Sequence, residues 1–142
     1  MIRIDFYIIK TPDPNADWLF SAKLIEKAYQ LGHQIYVLCE NEDMAIAFDE
    51  FLWQFNPDSF IPHHLFNEGP TPPAPVQIGF EHHLPQSRDI LVNLAGNVPN
   101  FHSQFKRICE IVANQEDSKA CKRQNYKFYQ SQGYALKNHE IS

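Results

Sequence analysis

The 142-residue sequence contains no long apolar run, and its longest ones, 35–39 and 44–48, are five residues each. A helix that crosses a bilayer needs about 20 apolar residues, so the sequence excludes a membrane-spanning helix. The amino-terminal segment alternates apolar and charged residues, without an apolar h-region or a small-residue cleavage site. We therefore expect a cytoplasmic protein that makes no membrane contact.

Cysteine and glycine are also scarce, at three and five residues. Cys39, Cys109 and Cys121 cannot all pair, and no two of them have the CxxC spacing of a zinc knuckle or a redox dithiol. We expect reduced and mostly buried thiols. The glycines form neither GxGxxG nor GxxxxGK[ST], which are the phosphate-binding signatures of nucleotide folds.

The segment that follows the first predicted strand also disfavours a nucleotide. Pro12 and Pro14 lack the N–H groups that would bind a phosphate, and the charge of Asp13 would repel it. We predict no nucleotide cofactor. A nucleotide- or metal-dependent Rossmann-like enzyme is the less favoured alternative.

Histidine occurs in two adjacent pairs, His63-His64 and His82-His83. Neighbouring side chains on an extended segment point in opposite directions, and the HxxxH and HExxH spacings of zinc sites are absent. We therefore favour solvated or capping imidazoles over a metal site shared between the pairs. No metal ligand and no catalytic residue is predicted.

Positive charge is concentrated at the carboxyl end. Residues 1–100 contain five Lys and Arg against thirteen Asp and Glu, whereas residues 101–142 contain seven against four. A chain of net charge −5 is poorly suited to wrapping nucleic acid, because phosphate neutralisation supplies most non-specific affinity. A local basic patch could still bind single-stranded nucleic acid directly, and we keep this as an alternative function.

The first half of the chain has the rhythm of an α/β fold. Residues 2–8 alternate with period two and predict a strand, and Asp13-Pro14 begins a helix that Gly32 ends. Residues 33–39 predict a buried strand, and Asn41 is expected to cap the next helix.

A long loop is predicted over residues 54–75, which contain six of the ten prolines and no sustained periodicity. Its large apolar side chains either pack beneath the loop or face a partner. They are Phe55, Phe60, Ile61, Leu65 and Phe66.

The second half of the chain continues as a single domain over 1–142. Residues 76–80 and 90–94 predict short strands, and 108–112 fit either a strand or a helix end. A final helix is predicted over 116–132, stopped by Gly133 before a short extended tail.

The final helix carries the clearest functional pattern. Lys119, Arg123 and Tyr126 stand at i, i+4 and i+7, with Lys122 and Lys127 beside them. Cations around an aromatic ring suit an acidic peptide with an apolar end, because Arg binds carboxylates with two hydrogen bonds.

Two further expectations concern the same helix. Cys121 and Phe128 lie on another face and are expected to pack on the sheet. The alternative to peptide binding is a solvated helix whose basic residues only complement Glu116 and Asp117.

Motifs along almost the whole chain resemble the chi subunits of the bacterial DNA polymerase III holoenzyme, small accessory proteins of the clamp loader. Their order and spacing carry the resemblance more than any single piece. The motifs are DFYII at 5–9, LCE at 38–40, FDEFLW at 48–53, DSFIPHHL at 58–65, EGP at 68–70, APV at 74–76, RDILVNL at 88–94 and EDSKACKRQNYKFYQSQGY at 116–134.

The resemblance implies a Rossmann-like α/β domain, with a mostly parallel central sheet flanked by helices and no nucleotide chemistry. It implies a non-catalytic subunit of a DNA-directed DNA polymerase with two protein partners. One partner is the psi subunit of the clamp loader, and the other is the acidic carboxyl-terminal tail of single-stranded DNA-binding protein (SSB). The resemblance also implies that DNA is bound only indirectly.

The resemblance also implies particular site residues. The family's tail-binding positions fall on Lys119, Arg123, Tyr126, Val112 and Gly133. Its other partner surface, for psi, falls around Trp53 and Phe60.

Overall fold

The computed structural model describes residues 2–56, 60–66, 69, 74–80, 84–85 and 88–142, and these contain seven strands and three α-helices. No helix among them is long and apolar enough to cross a membrane. In chain order the elements are β1 (Arg3–Ile9), α1 (Ala16–Gln30), β2 (Ile35–Cys39), α2 (Glu42–Gln54), β3 (His63–Leu65), β4 (Val76–Phe80), β5 (Ile90–Asn93), a 3-10 turn (His102–Gln104), β6 (Arg107–Val112), α3 (Glu116–Ser131) and β7 (Ala135–Ile141).

The described strands form one sheet in the order β3-β4-β2-β5-β6-β1-β7. Every pairing between these strands is parallel. Parallel strands need crossover connections, and α1 supplies one between β1 and β2 and α3 another between β6 and β7. The predicted α/β class with a mostly parallel sheet flanked by helices is confirmed.

Apolar side chains cover both faces of the sheet. On one face, Tyr7 and Ile9 of β1 pack with α1 and α2 through Ile25 and Phe48. On the other face, Ile4 and Phe6 join a cluster that includes Tyr129 of α3 and the phenylalanines of the segment before β6. Each helix layer therefore buries its own set of strand side chains.

Several helix ends follow the sequence signals. The side chain of Asn41 accepts a hydrogen bond of 2.9 Å from the Met44 N–H, so the predicted cap of α2 is confirmed. Gly32 and Gly133 follow α1 and α3 with φ of +89° and +81°, a conformation that glycine adopts without steric cost. The first helix begins at Ala16, after the predicted Asp13-Pro14 start.

Three expectations needed correction or resolution in the structure. The predicted loop over 54–75 contains the short edge strand β3, which pairs with β4 and has too few residues to show a period. The ambiguous stretch at 108–112 belongs to β6, between β5 and β1. The short tail is the edge strand β7, paired with β1 along its whole length.

Most of the large apolar side chains of the 54–75 segment pack against the core, but Phe60 is exposed. Ile61 is buried, and Phe55 and Leu65 pack against the same core cluster as α1 and α2. Phe66 packs on the opposite face of the sheet. Phe60, in contrast, is 66% exposed.

The cysteines agree with the expectation of reduced and mostly buried thiols. All three are free thiols, with Cys39 and Cys109 buried and Cys121 half-buried. Burial raises the pKa of Cys39 and of Cys109 to about 12, so both remain protonated at neutral pH.

Candidate functional site

A groove of about 490 Å³ lies between α3 and the strands β1, β6 and β7. Its floor is apolar and its walls carry basic side chains. The lining residues are Phe6, Ile8, Lys10, Val112, Lys119, Lys122, Arg123, Tyr126 and Asn138.

Strand alternation builds the floor of the groove. Phe6 and Ile8 are two residues apart on β1, so both face α3. Ile8 is in register with Val112 of β6, which is 6% exposed and adds a second apolar side chain. The ring of Tyr126 packs edge-on against Phe6 with centroids 5.2 Å apart. An apolar group that enters the groove at this end meets aromatic surface.

The α3 wall supplies cations. Lys119 and Arg123 are one helical turn apart, which puts them on one face of the helix. Arg123 is exposed, and Lys119 Nζ lies 3.6 Å from Oε1 of the exposed Glu116. Exposed ion pairs of this kind contribute little to stability. Lys119 can therefore leave Glu116 and pair with a carboxylate of a ligand.

Four of the five predicted tail-binding residues line the groove together: Val112, Lys119, Arg123 and Tyr126. Gly133, the fifth predicted residue, does not line the groove. It lies beyond the carboxyl end of α3, and its positive φ serves to end the helix. The groove is instead formed by the first three turns of α3.

Lys122 does not belong to an exposed basic stripe. Its side chain is buried, and Nζ lies 2.8 Å from Oε1 of Glu110 and donates to the Ala95 carbonyl at 2.6 Å. The other oxygen of Glu110 accepts from the hydroxyl of Tyr129 at 2.6 Å. The ammonium of Lys122 is therefore held inside the protein, although the residue contributes to the wall of the groove.

The face of α3 that packs on the sheet is formed by Lys122, Asn125 and Tyr129. The expectation that Cys121 and Phe128 pack there was wrong. Cys121 is half-buried, and Phe128 is 39% exposed and contacts the ring of His102 with centroids 5.3 Å apart. Polar side chains occupy the buried face because Glu110 of β6 gives them a partner.

The groove lies beside two adjacent strands, β1 and β6, whose following helices cover opposite faces of the sheet. After β1 the chain passes to α1 on one face, and after β6 it passes to α3 on the other. Such a switch point at the carboxyl ends of parallel strands is where α/β folds form their ligand sites.

Sequence reasoning missed four of the lining residues, Phe6, Ile8, Lys10 and Asn138. The period-two pattern of β1 already puts Phe6, Ile8 and Lys10 on one face. Asn138 carried no such signal, because its place follows from the pairing of β7 with β1.

Trp53 and Phe60 form a second exposed surface. Trp53 is 49% exposed, and its ring centroid lies 5.5 Å from that of Phe60 and 4.3 Å from that of His63. The buried His63 contacts the Ile61 carbonyl through Nδ1 at 2.7 Å and the Asp49 carbonyl through Nε2 at 3.1 Å. A fixed imidazole therefore supports the exposed indole.

Of the two histidine pairs, only His63-His64 lies within the described residues. His63 is buried rather than solvated, and both of its ring nitrogens contact backbone carbonyls. His64 accepts from the Ala74 N–H at 3.0 Å and contacts the Leu65 carbonyl at 2.7 Å. His82 and His83 lie outside the described residues. Within the described ranges, no three His, Cys, Asp or Glu side chains are grouped as metal ligands.

Comparison with known proteins identifies the family. A family model described as "DNA polymerase III chi subunit, HolC" matches residues 1–137. The chain belongs to this family. The predicted resemblance is thus confirmed, and membership gives the chain an accessory role in DNA replication as a subunit of DNA polymerase III.

Relatives in the chi family match along nearly the whole chain. DNA polymerase III subunit chi of Pseudomonas aeruginosa is 36% identical over 141 residues, which is 99% of this chain and 98% of the relative. The Escherichia coli K12 protein of the same name is 31% identical over 142 residues, or 96% of each chain. That of Haemophilus influenzae is 32% identical over 123 residues, or 85% of each.

The fold is also similar to a solved structure of T4 UvsW, with a TM-score of 0.65 and 7% sequence identity. The match covers 98% of this chain and spans about two-fifths of the other, at 41%. At this identity the likeness shows the α/β fold alone.

Proposed function

We propose that this chi-family chain is a non-catalytic adaptor that joins the clamp loader to SSB-coated template. It binds the acidic carboxyl-terminal tail of SSB in the α3 groove, and it contacts the psi subunit through Trp53 and Phe60. The observation that carries the proposal is the groove itself, in which Lys119 and Arg123 stand beside an apolar floor.

Each part of the tail has a complementary part of the groove. We expect the aromatic residue at the end of the tail to pack beside Tyr126, over the apolar floor of the groove. Arg123 stands one turn before Tyr126 and forms charge-assisted hydrogen bonds with the terminal carboxylate or a nearby acidic side chain. Lys119 adds a point charge further along the helix.

A site of this size binds a short peptide weakly. We expect a Kd in the micromolar range, about −8 kcal/mol, and an affinity that falls as salt screens the exposed cations. SSB-coated DNA presents many tails together, so the effective concentration of tails raises the overall affinity.

The surface formed by Trp53 and Phe60 has the character of a protein interface, which supports assigning it to psi. Aromatic side chains are enriched at the centres of protein interfaces, and Trp53 and Phe60 are large apolar groups left in contact with solvent. They lie on α2 and on the segment before β3, whereas the groove lies on α3. Psi and the SSB tail can therefore bind to separate surfaces.

The test is a titration with a fluorescent peptide that ends in Asp-Asp-Ile-Pro-Phe, compared with the same peptide without its final Phe. Binding that weakens with salt and disappears with the Phe supports the adaptor function. Binding of neither peptide contradicts it. A bare single-stranded oligonucleotide is the third ligand, and tight binding to it with a steep salt dependence favours direct nucleic-acid binding instead.

A further inference from the structure

The groove has two chemically different ends. Lys10 follows Ile8 on the α3-facing side of β1, and its N–H donates to the Ile141 carbonyl at 2.8 Å, so the strand pairing with β7 extends to Lys10. From Phe6 to Lys10 is four strand residues, or roughly 13 Å. The floor therefore runs from an aromatic end to a cationic end.

The wall formed by α3 also runs from a cationic end to an aromatic end, in the same direction as the floor. The Ala113 N–H at the end of β6 donates to Ser118 Oγ at 3.0 Å, which fixes the first turn of α3 near the carboxyl ends of the strands. Lys119 therefore lies at the cationic end with Lys10. Tyr126 packs on Phe6 at the other end, about 10 Å further along α3.

We propose that Lys10 binds an acidic side chain about four residues before the apolar end of the peptide, and that Glu140 competes with the peptide for Lys10. This rests on the proposed function of the groove. An extended chain advances roughly 3.3 Å per residue, so a terminal aromatic beside Tyr126 puts the residue four positions earlier near Lys10. The peptide then runs from the carboxyl ends of the strands towards their amino ends.

Lys10 is free to exchange its partner. Its Nζ lies 3.8 Å from Oε1 of Glu140, and the two side chains are 52% and 74% exposed. An ion pair this long and this exposed is weak. Glu140 is in register with Ile8 and so faces the groove, where its charge opposes an acidic ligand.

The experiment uses the full chain and the Asp-Asp-Ile-Pro-Phe peptide, with peptides in which either Asp is replaced by Asn. Lys10→Ala should weaken binding of the parent peptide about two- to five-fold. The effect should vanish for the peptide that lacks the acid four positions before Phe. Glu140→Gln should tighten binding about two-fold, because it leaves Lys10 unpaired.

Lys137→Ala is the matched control, since it removes the same charge from β7 but on the face of the sheet away from the groove. The inference is overturned if Lys10→Ala weakens binding no more than Lys137→Ala, or by the same factor for both Asn peptides. Arg123→Ala separates this result from failure of the proposed function. If Arg123→Ala abolishes binding while Lys10→Ala does nothing, only the role of Lys10 is wrong.

Discussion

Nζ of Lys122 lies 2.8 Å from Oε1 of Glu110, and both side chains are buried between α3 and the sheet. Tyr129 on the same helix donates to the other carboxylate oxygen of Glu110 at 2.6 Å. Two contacts about two turns apart fix the rotation of α3. Because Arg123 follows Lys122 directly, this rotation directs its guanidinium away from the core and towards the groove.

Lys122→Met should lower the free energy of unfolding by about 3–5 kcal/mol, because it leaves the carboxylate of Glu110 buried without its cation. Denaturant unfolding followed by circular dichroism measures the change. Lys122→Met combined with Glu110→Leu is the control, and it should recover most of the loss since both charges are gone. A single variant as stable as the parent would contradict the role given to this pair.

Arg123→Ala should weaken binding of the SSB-tail peptide at least about ten-fold, as expected for losing charge-assisted hydrogen bonds to a carboxylate. The melting temperature should be unchanged, because Arg123 is exposed. Lys127→Ala is the matched control on the same helix, since Lys127 is exposed but does not line the groove. Equal affinities of the two variants would exclude Arg123 from the site.

Phe60→Ala should weaken binding to psi at least about ten-fold, because a 66% exposed aromatic ring beside Trp53 is expected to lie at the centre of that interface. Binding of the SSB-tail peptide should not change. Phe128→Ala removes another partly exposed phenylalanine and is the control. Co-purification or calorimetric titration with psi measures the effect, and loss of psi binding in both variants would point to a general effect on folding.

Asp5 should make the stability of the protein depend on acid pH. Burial alone would raise the pKa of its carboxyl, but hydrogen bonds from His139 and Arg107 and the charges of Arg107 and Arg3 outweigh burial and hold that pKa below its ordinary value of 3.8. A lowered pKa means that the ionised form stabilises the fold. This contribution is complete above the ordinary pKa and is lost as the pH falls through the lower folded value.

Unfolding of the parent and of Asp5→Asn should therefore differ most at neutral pH and converge below about pH 4. Denaturant titrations at several pH values test this, with Asp13→Asn in the exposed loop before α1 as the control. A constant difference between the parent and Asp5→Asn down to pH 2 would contradict the assignment.

Local signals in the sequence predicted the elements that depend on local chemistry. Asn41 caps α2 through its own side chain, and the run at 35–39 is apolar because β2 is covered on both faces. The family motifs also predicted Arg123 and Tyr126 as site residues, and their spacing puts them on one face of any helix. Both line the groove.

The errors occurred where partners distant in the sequence decide the outcome. Lys122 was expected beside the basic stripe of α3, because nothing near it in the sequence reveals that Glu110 lies opposite on β6. Strand β3 is three residues long and exists through its pairing with β4. Asn138 reaches the groove only because β7 returns beside β1, and sequence periodicity cannot predict that pairing.

The most direct test of the account is to map the tail peptide onto the isotopically labelled chain by NMR chemical-shift perturbation. The account predicts that the largest shifts lie along β1 and the first three turns of α3, at Phe6, Ile8, Lys119, Arg123 and Tyr126, and that the amide of Trp53 is unaffected. Shifts centred on Trp53 and Phe60, with none in the groove, would contradict it.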